Sequence, residues 1–350
     1  MNKGFWNGKK VLLTGHTGFK GSWLAFWLKT MGAKVCGYSL APETEPNLFE
    51  NLKIETGIES VIGDIRDLPN FEKVIRDFQP QIVFHLAAQP LVRRSYRQPL
   101  ETYTTNVIGT INVLEAIRQT DSVKSVVVVT TDKVYENKEW LWAYRETERL
   151  GGFDPYSNSK ACAELAVSAY RNSFFAGGET LIVTARAGNV IGGGDWSEDR
   201  LLPDVFRSLV FGAPLSIRNP NSIRPWQHVL EPLSGYLLLA EKLYSGEKDF
   251  ADAWNFGPSE EDSKPVGWVL EEIRKIWAAD VNWEIAEGNQ PHEANLLKLD
   301  SAKAKNKLRW IPKLSLTEAI EMTVDWYKNF KENKDLIELT QKQIEVYTQK

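Results

Sequence analysis

The chain has 350 residues, of which 43% are hydrophobic and 25% are charged, and its formal net charge is −4 at pH 7. This composition is that of a soluble globular enzyme, and it lacks the basic excess of a nucleic-acid-binding protein, so we expect no nucleic-acid partner. The length suits one large α/β domain, or a nucleotide-binding domain with a smaller companion.

Two features of the composition bear on location and metal content. Cys36 and Cys162 are too few to form a disulfide framework, which favours a reducing compartment. No apolar run approaches the roughly 20 residues that cross a bilayer, and the first residues lack a secretory apolar segment. We therefore expect a cytoplasmic protein with no membrane partner. We expect no metal site either, because the histidines are scattered, at His16, His85, His228 and His292.

Short apolar runs alternate with helical patterns over the first 185 residues. Strands are predicted at residues 10–13, 34–38, 60–63, 81–86, 125–130 and 180–185. Helices are predicted at residues 21–31, 68–78, 106–119 and 156–173. Strands that alternate with helices of this length are typical of βαβ units, so the pattern predicts an α/β fold with a parallel sheet.

The rhythm of the chain changes after about residue 186. A glycine-rich segment at 188–195 precedes a predicted helix at 203–212. A long apolar helix, 231–244, is expected to return to the sheet, and a short strand is predicted at 281–285. We therefore predict two interleaved domains. The first comprises 1–185 plus about 225–247, and the second, a smaller C-terminal domain that binds the substrate, comprises 186–224 plus about 248–350.

A glycine-rich turn follows the first predicted strand and opens the first predicted helix, at residues 14–21 (Thr-Gly-His-Thr-Gly-Phe-Lys-Gly). Glycines at this spacing let a backbone approach a diphosphate, which the positive end of the helix attracts. The alternative is a tight turn without a ligand. The position between strand and helix favours a dinucleotide site in a Rossmann-type, doubly wound parallel sheet. The predicted contacts come from Gly15, His16, Thr17, Gly18, Phe19, Lys20 and Gly21.

The second predicted strand lacks the acid that usually binds the adenosine ribose. It ends at Ser39, and no arginine lies there to accept a 2′-phosphate, so NAD is favoured over NADP. A weakly held, exchangeable cofactor is expected. After the third strand, Asp64 next to Ile65 is a candidate partner for the adenine amino group. The alternative is an aspartate that caps the next helix.

Tyr156 and Lys160 lie four residues apart at the start of a predicted helix, so their side chains share one face. A lysine ammonium and a positively charged nicotinamide stabilise a phenolate, and the sequence therefore predicts a lowered pKa for Tyr156. Such a pair removes a proton from a carbinol while a hydride leaves for the cofactor. Tyr-x-x-x-Lys alone is common, but its place after the glycine turn makes it specific.

With these motifs the chain resembles the extended short-chain dehydrogenase/reductase family over essentially its whole length. Further marks are 106–114, 189–192 and 224–226, and the Leu86-Ala87-Ala88 segment, whose residues the resemblance places against the cofactor. The similarity is strongest to the family's nucleotide-sugar 4,6-dehydratases that act on CDP-glucose, through 15–21, 131–137 and 224–232. The resemblance implies CDP-glucose as substrate and NAD as cofactor. It also implies deoxysugar synthesis for the O-antigen of lipopolysaccharide, and a homodimer or higher homo-oligomer through the helices of Asn106 and Tyr156.

The strand that ends at Thr130 continues into Thr131-Asp132-Lys133, which the resemblance places at the catalytic centre. There Thr131 hydrogen-bonds the 4-oxygen of the sugar, and Asp132 protonates the hydroxyl that leaves C6. This implies a hydro-lyase that forms CDP-4-keto-6-deoxy-D-glucose. Related dehydratases follow the aspartate with a glutamate that takes the C5 proton. Lys133 stands there instead, so the C5 base is either Lys133 or Tyr156.

Positive charge and hydrogen-bond donors are needed to bind the diphosphate of a sugar nucleotide. Each arginine among the candidates could equally form a salt bridge between domains. Two other functions stay open, a nucleotide-sugar 4-epimerase and a non-catalytic NAD-binding relative. The candidate substrate-binding residues are Gln89, Asn189, Arg200, Arg224 and Asn255, with Arg93 as a further candidate.

Overall fold

The computed structural model describes residues 3–279, 281–286 and 296–350, so His292 lies outside the described residues. Buried β-branched runs form the central strands, and every residue of the β5 strand is buried. The strands are β1 (Lys10–Thr14), β2 (Lys34–Ser39), β3 (Glu59–Ile62), β4 (Ile82–His85), β5 (Ser125–Val129), β6 (Leu181–Arg186), β7 (Val190–Ile191), β8 (Ser216–Ile217), β9 (Ile223–Pro225), β10 (Gln227–His228), β11 (Ala253–Asn255), β12 (Ser263–Pro265) and β13 (Glu284–Ile285).

Seven parallel strands form the main sheet in the order β11-β6-β5-β4-β1-β2-β3. The first six strands of the chain therefore have the Rossmann arrangement, which confirms the predicted fold class. The seventh strand, β11, corrects the predicted domain boundary at about 248. The prediction gave residues 253–255 to the second domain, but they lie in the main sheet. Ala253 pairs with Thr184 at the edge of the sheet, because the chain returns there to satisfy the free backbone groups of β6.

Both faces of the sheet are covered, as a doubly wound fold requires. Side chains of a strand point alternately to opposite faces, so Val11 and Leu13 belong to the larger apolar core and Leu12 to the smaller one. The helices are α1 (Lys3–Trp6), α2 (Phe19–Thr30), α3 (Leu48–Asn51), α4 (Leu68–Phe78), α5 (Val92–Arg97), α6 (Pro99–Tyr103), α7 (Gly109–Arg118), α8 (Pro155–Ser173), α9 (Leu201–Phe211), α10 (Leu230–Tyr244), α11 (Val266–Trp277), α12 (Leu316–Lys331) and α13 (Leu336–Gln349).

The predicted helix at 106–119 has a different form in the structure. It begins earlier, at α6, passes through a π-helical turn at Thr104–Ile108 and ends as α7. Thr104 and Thr110 donate their hydroxyls to backbone carbonyls of the preceding turn, and such back-bonding bends helices. None of the described helices is both long and apolar enough to span a bilayer.

The smaller part of the molecule is built from three short strand pairs and the helices around them. β7 pairs with β10, β9 with β12, and β8 with β13. Of the strand predicted at 281–285, only the last two residues form a strand, β13. The apolar helix α10 returns to the main sheet, where Ser125 donates its hydroxyl to the Ala240 carbonyl. The glycine-rich segment before α9 lies where the two parts of the molecule meet, since a Cβ on Gly194 would contact Leu48 and one on Gly193 would contact Trp326.

Candidate active site

Two adjoining cavities open at the carboxyl edge of the main sheet, where ligands bind in folds of this type. The larger, of about 690 Å³, runs along the glycine turn, and the smaller, of about 320 Å³, extends toward the second part of the molecule. Both cavities are lined by Phe19, Lys20, Pro90, Leu91, Thr131, Tyr156, Ala187, Asp195 and Arg200.

The glycine turn brings backbone close to backbone. A Cβ on Gly15 would lie 2.7 Å from the Ala87 nitrogen, and a Cβ on Gly21 would lie 1.9 Å from the Gly15 carbonyl oxygen. Helix α2 starts at Phe19, and its N-cap residue, Gly18, provides no side-chain cap; the first turn holds no acid. Its amino end therefore offers N–H groups to the larger cavity and fits the diphosphate of a dinucleotide. Leu86, Ala87 and Ala88, the other predicted cofactor contacts of this region, also line the larger cavity.

Two predicted cofactor contacts in this turn have other partners. The His16 side chain points away from both cavities, packs against Gly37 and hydrogen-bonds Ser60 at 2.7 Å, so the prediction for this side chain is wrong. Burial lowers the pKa of His16 to about 4, so the ring is neutral. Thr17 lines the larger cavity, but its hydroxyl is hydrogen-bonded to the Ser39 hydroxyl. Ser39 ends β2, where related folds carry the acid that binds the adenosine ribose.

Asp64 and Ile65, which follow β3, line the larger cavity. The Asp64 carboxylate binds the Arg66 side chain at 2.6 Å, and this ion pair lowers the pKa of Asp64. Asp67, rather than Asp64, caps helix α4. The helix-cap alternative for Asp64 is therefore wrong, and its carboxylate stays at the cavity wall.

Helix α8 positions the predicted Tyr156/Lys160 pair beside the end of β5. The Lys160 ammonium donates to the Val129 carbonyl at 2.9 Å, and burial lowers the pKa of Lys160 to about 8, with Glu164 opposing. Burial raises the pKa of Tyr156 to about 12, and the neighbouring Thr131 side chain opposes this rise. In the protein without its cofactor, desolvation of the phenolate outweighs the nearby charges. The lowered pKa that we predict for Tyr156 includes the positive charge of the nicotinamide and stays a prediction.

Thr131, Asp132 and Lys133 form one turn that faces the smaller cavity. The Thr131 hydroxyl donates to Asp132 Oδ1 at 2.9 Å, and the Lys133 N–H donates back to the Thr131 hydroxyl at 3.4 Å. Asp132 is only 2% exposed, and its Oδ2 has no hydrogen-bond partner among the described residues. Gly188 makes room for this oxygen, because a Cβ there would lie 1.9 Å from it.

A buried ion pair behind the catalytic helix was not anticipated from the sequence. Glu164 receives two hydrogen bonds of 2.8 Å from the Arg186 guanidinium and further ones from Thr130 and Thr184. The sequence spacing could have indicated that Glu164 is buried near the site, since it lies four residues beyond Lys160 on the same helical face. The pair ties the catalytic helix to two strands of the main sheet.

The smaller cavity carries a surplus of positive charge. Asn189 lines it with φ at +48°, and a guanidinium nitrogen of Arg200 lies 3.3 Å from the Asp195 carboxylate. Within the described residues its charged lining comprises six basic and three acidic side chains, a surplus of three that suits a diphosphate. They are Lys20, Arg93, Lys133, Arg200, Arg218 and Arg224 against Asp132, Asp195 and Asp199.

Two predicted substrate contacts serve the protein's own backbone instead. Asn255 is fully buried away from both cavities, where its amide donates to the Tyr144 and Asp300 carbonyls. Gln89 borders the larger cavity rather than the smaller, and its side chain bonds the backbone of Leu91 and the Thr102 hydroxyl. Both predictions of a substrate contact are therefore wrong, because the two side-chain amides already have hydrogen-bond partners within the protein.

Fold and site together define an extended short-chain dehydrogenase/reductase: a Rossmann sheet, a glycine turn, and a Tyr/Lys pair beside the end of β5. The sequence model of the family described as GDP-mannose 4,6 dehydratase matches residues 12–323. The chain belongs to this family.

Known relatives agree with this placement. The CDP-glucose 4,6-dehydratase of Salmonella typhimurium is 51% identical over 352 aligned positions, which cover 99% of this chain and 98% of that one. The fold matches a UDP-glucose 4-epimerase from Thermotoga maritima, crystallised with UDP-glucose, with a TM-score of 0.80 at 23% identity (92% and 99% coverage). It also matches a dTDP-glucose 4,6-dehydratase from Bacillus anthracis in complex with NAD, with a TM-score of 0.77 at 23% identity (94% and 100% coverage).

Proposed function

We propose that the chain is a hydro-lyase that converts CDP-D-glucose to CDP-4-keto-6-deoxy-D-glucose, with NAD as its resident cofactor. The observation that carries the proposal is the buried Asp132 carboxyl, which is joined to Thr131 and belongs to the lining of the smaller cavity. An epimerase acts at C4 alone and has no need of an acid there, whereas expulsion of a C6 hydroxyl requires a proton donor. The likeness to the Salmonella enzyme supports CDP-glucose as the substrate.

The larger cavity fits the cofactor. Gly15, Gly18 and Gly21 would let the diphosphate approach the end of α2, and Asp64 and Ile65 would border the adenosine. Bound NAD supplies the acceptor for the hydride from C4 and the donor of that hydride to C6. Because Thr17 and Ser39 bond each other where a ribose-binding acid is expected, we propose that NAD is held loosely and exchanges.

The chain's own residues divide the proton transfers. Tyr156, as the phenolate that Lys160 and the positive charge of bound NAD would stabilise, takes the proton of the 4-hydroxyl, and Thr131 hydrogen-bonds the same oxygen. The 4-ketone acidifies the C5 proton, which Lys133 or Tyr156 removes and later restores. Asp132 protonates the departing C6 oxygen. Arg200 and Arg224 bind the diphosphate, with Asn189 beside them.

The product of a reaction with CDP-glucose and catalytic NAD tests this function by mass spectrometry. Loss of one water, about 18 Da, is expected from native protein because C6 is deoxygenated. Asp132→Asn should stop water loss, and Asp199→Asn, which removes a carboxylate of the same cavity outside the catalytic turn, serves as the matched control. An unchanged mass with a C4-epimerised sugar would overturn the proposal.

We also propose that the protein is a homodimer or a higher homo-oligomer and that it acts in the cytoplasm. Its product would then be used to make the deoxysugars of an O-antigen. Supporting the oligomer, Leu100 on α6, Ile108 on the π-turn and Leu165 on α8 are 76%, 48% and 59% exposed. Apolar groups clustered on neighbouring helices favour burial against a second copy. Leu165→Glu should give monomers in sedimentation, whereas Leu141→Glu, in the loop before α8 and 80% exposed, should not. A monomeric native chain would contradict the proposal.

A further inference from the structure

Lys20 lies where the two cavities adjoin, and the proposed proton transfers do not use it. It is the second residue of helix α2, and it lines both cavities. Within residues 3–279, 281–286 and 296–350 its ammonium has no hydrogen-bond or ion-pair partner. A positive charge near the amino end of a helix is unfavourable, because the helix dipole is positive there too. A cation is thus retained where it costs stability, which points to a role in ligand binding.

Lys20 is the uncompensated charge of the lining that the two cavities share. Three of the nine shared residues are charged, and the other two, Asp195 and Arg200, are 3.3 Å apart and neutralise each other. Two further charged groups act on Lys20, namely Lys160 from the wall of the larger cavity and Asp132 from the wall of the smaller. These are again one of each sign, so a surplus of one positive charge remains where the cavities meet.

The side chain of Lys20 keeps its charge at neutral pH. Burial lowers the pKa of Lys20 to about 8, and Arg200 acts in the same direction, whereas Asp132 opposes. The ammonium is therefore still mostly protonated at pH 7. Because it lies in a partly buried cavity wall, its field is screened less than that of a surface lysine.

The proposed function brings the nicotinamide of NAD close to this charge. The larger cavity runs from the amino end of α2 to the end of β5, where Val129, Thr130 and Lys160 line it. Hydride transfer needs contact between ring and sugar, so the nicotinamide would lie where the larger cavity meets the smaller. The ring is positively charged when oxidised and neutral when reduced, whereas the diphosphate is the same in both forms. A nearby cation therefore distinguishes the two forms only through the ring.

We propose that Lys20 destabilises the oxidised cofactor relative to the reduced one, and so makes bound NAD a stronger acceptor of the C4 hydride. This role rests on the proposed function, which supplies NAD and the C4 step. Lys20 repels the oxidised ring, and the repulsion ends when the hydride neutralises that ring. The same repulsion weakens the binding of NAD, in agreement with a cofactor that is held loosely. A unit charge at roughly 10 Å, with an effective dielectric constant of about 20, changes a binding constant by about tenfold, which equals about 30 mV for a two-electron couple.

Binding of NAD⁺ and of NADH, each measured alone by calorimetry, tests this role of Lys20 without turnover. The native protein should bind NADH about tenfold more tightly than NAD⁺. Lys20→Met removes the charge at nearly the same side-chain length, and it should bring the two dissociation constants together, chiefly by tightening NAD⁺. Lys20→Arg keeps the charge and should keep the native ratio. Lys29→Met, which removes a lysine at the other end of α2 outside both cavities, is the matched control.

Equal weakening of NAD⁺ and NADH by Lys20→Met would reveal a contact with the diphosphate that both forms carry, and would overturn the proposal. An unchanged ratio of the two dissociation constants in this variant would overturn it as well. The native protein covers the case in which a variant does not fold, since equal or tighter binding of NAD⁺ contradicts a surplus positive charge at the ring. The ratio does not depend on the sugar nucleotide. A native protein that binds neither form would contradict the proposed function itself, and the role of Lys20 with it.

Discussion

At the scale of single residues, contacts rather than residue types decide what the catalytic groups can do. Asp132 is a catalytic candidate because the Thr131 hydroxyl and the bare backbone of Gly188 hold its carboxyl at the wall of the smaller cavity. Tyr156 and Lys160 have pKa values displaced toward their neutral forms by burial, to about 12 and about 8. Desolvation thus keeps Tyr156 neutral at pH 7 before ligands bind, whereas Lys160 stays mostly protonated but can lose its proton more readily than a free lysine.

Gly188→Ala tests the position of the carboxyl. A Cβ would lie 1.9 Å from Asp132 Oδ2, so the carboxyl must move, and we expect kcat to fall by about 100-fold while CDP-glucose binding changes little. Gly178→Ala is the control, since its Cβ would meet its nearest atom, the Phe175 carbonyl oxygen, at an ordinary 3.5 Å. Native kcat in Gly188→Ala would show that the carboxyl position does not limit the reaction.

At the scale of elements, helix α8 carries three functional side chains one turn apart, Tyr156, Lys160 and Glu164. The first two face the cavities, and the third anchors the helix to β6 through Arg186. The strands and this helix could be predicted, because buried β-branched runs and a strong helix start leave clear patterns. The helix α5 could not, since Val92–Arg97 is short, charged and without apolar periodicity.

Glu164→Gln tests the anchoring of the helix. Removing one charge leaves Arg186 buried without its counterion, so the free energy of unfolding should drop by about 3–5 kcal/mol in urea denaturation. Glu179→Gln removes an exposed partner of Lys124 and should change it by no more than about 1 kcal/mol. Equal effects of the two substitutions would rule out a special role for the buried pair.

At the scale of the whole molecule, the two predicted domains share strands. β11 joins the main sheet although it follows the second domain's first segments, and chain order alone does not show which sheet edge a late strand will meet. The same limit explains Gln89 and Asn255. Whether a buried amide faces a ligand or the protein's own backbone depends on packing between distant segments, which no local pattern records.

The stability of the whole molecule should fall in mild acid. Burial lowers the pKa of His16 to about 4 and those of His85 and His228 to about 3, so the folded protein keeps these rings neutral. The unfolded chain protonates them near pH 6.5, so their stabilisation is complete above that pH and is lost as pH falls toward the folded values. Urea unfolding between about pH 7 and 5 should show a loss of up to about 1.4 kcal/mol per pH unit for each histidine. A flat profile would contradict the burial of neutral rings.

The central claim is that a hydride leaves C4 and returns to C6 of the same sugar. CDP-glucose carrying deuterium at C4, incubated with the protein and catalytic NAD, tests it most directly. The account predicts a product lighter by one water, about 18 Da, that retains the deuterium at C6 in the NMR spectrum, because the hydride is returned within the site. A product of unchanged mass with deuterium still at C4 would contradict it.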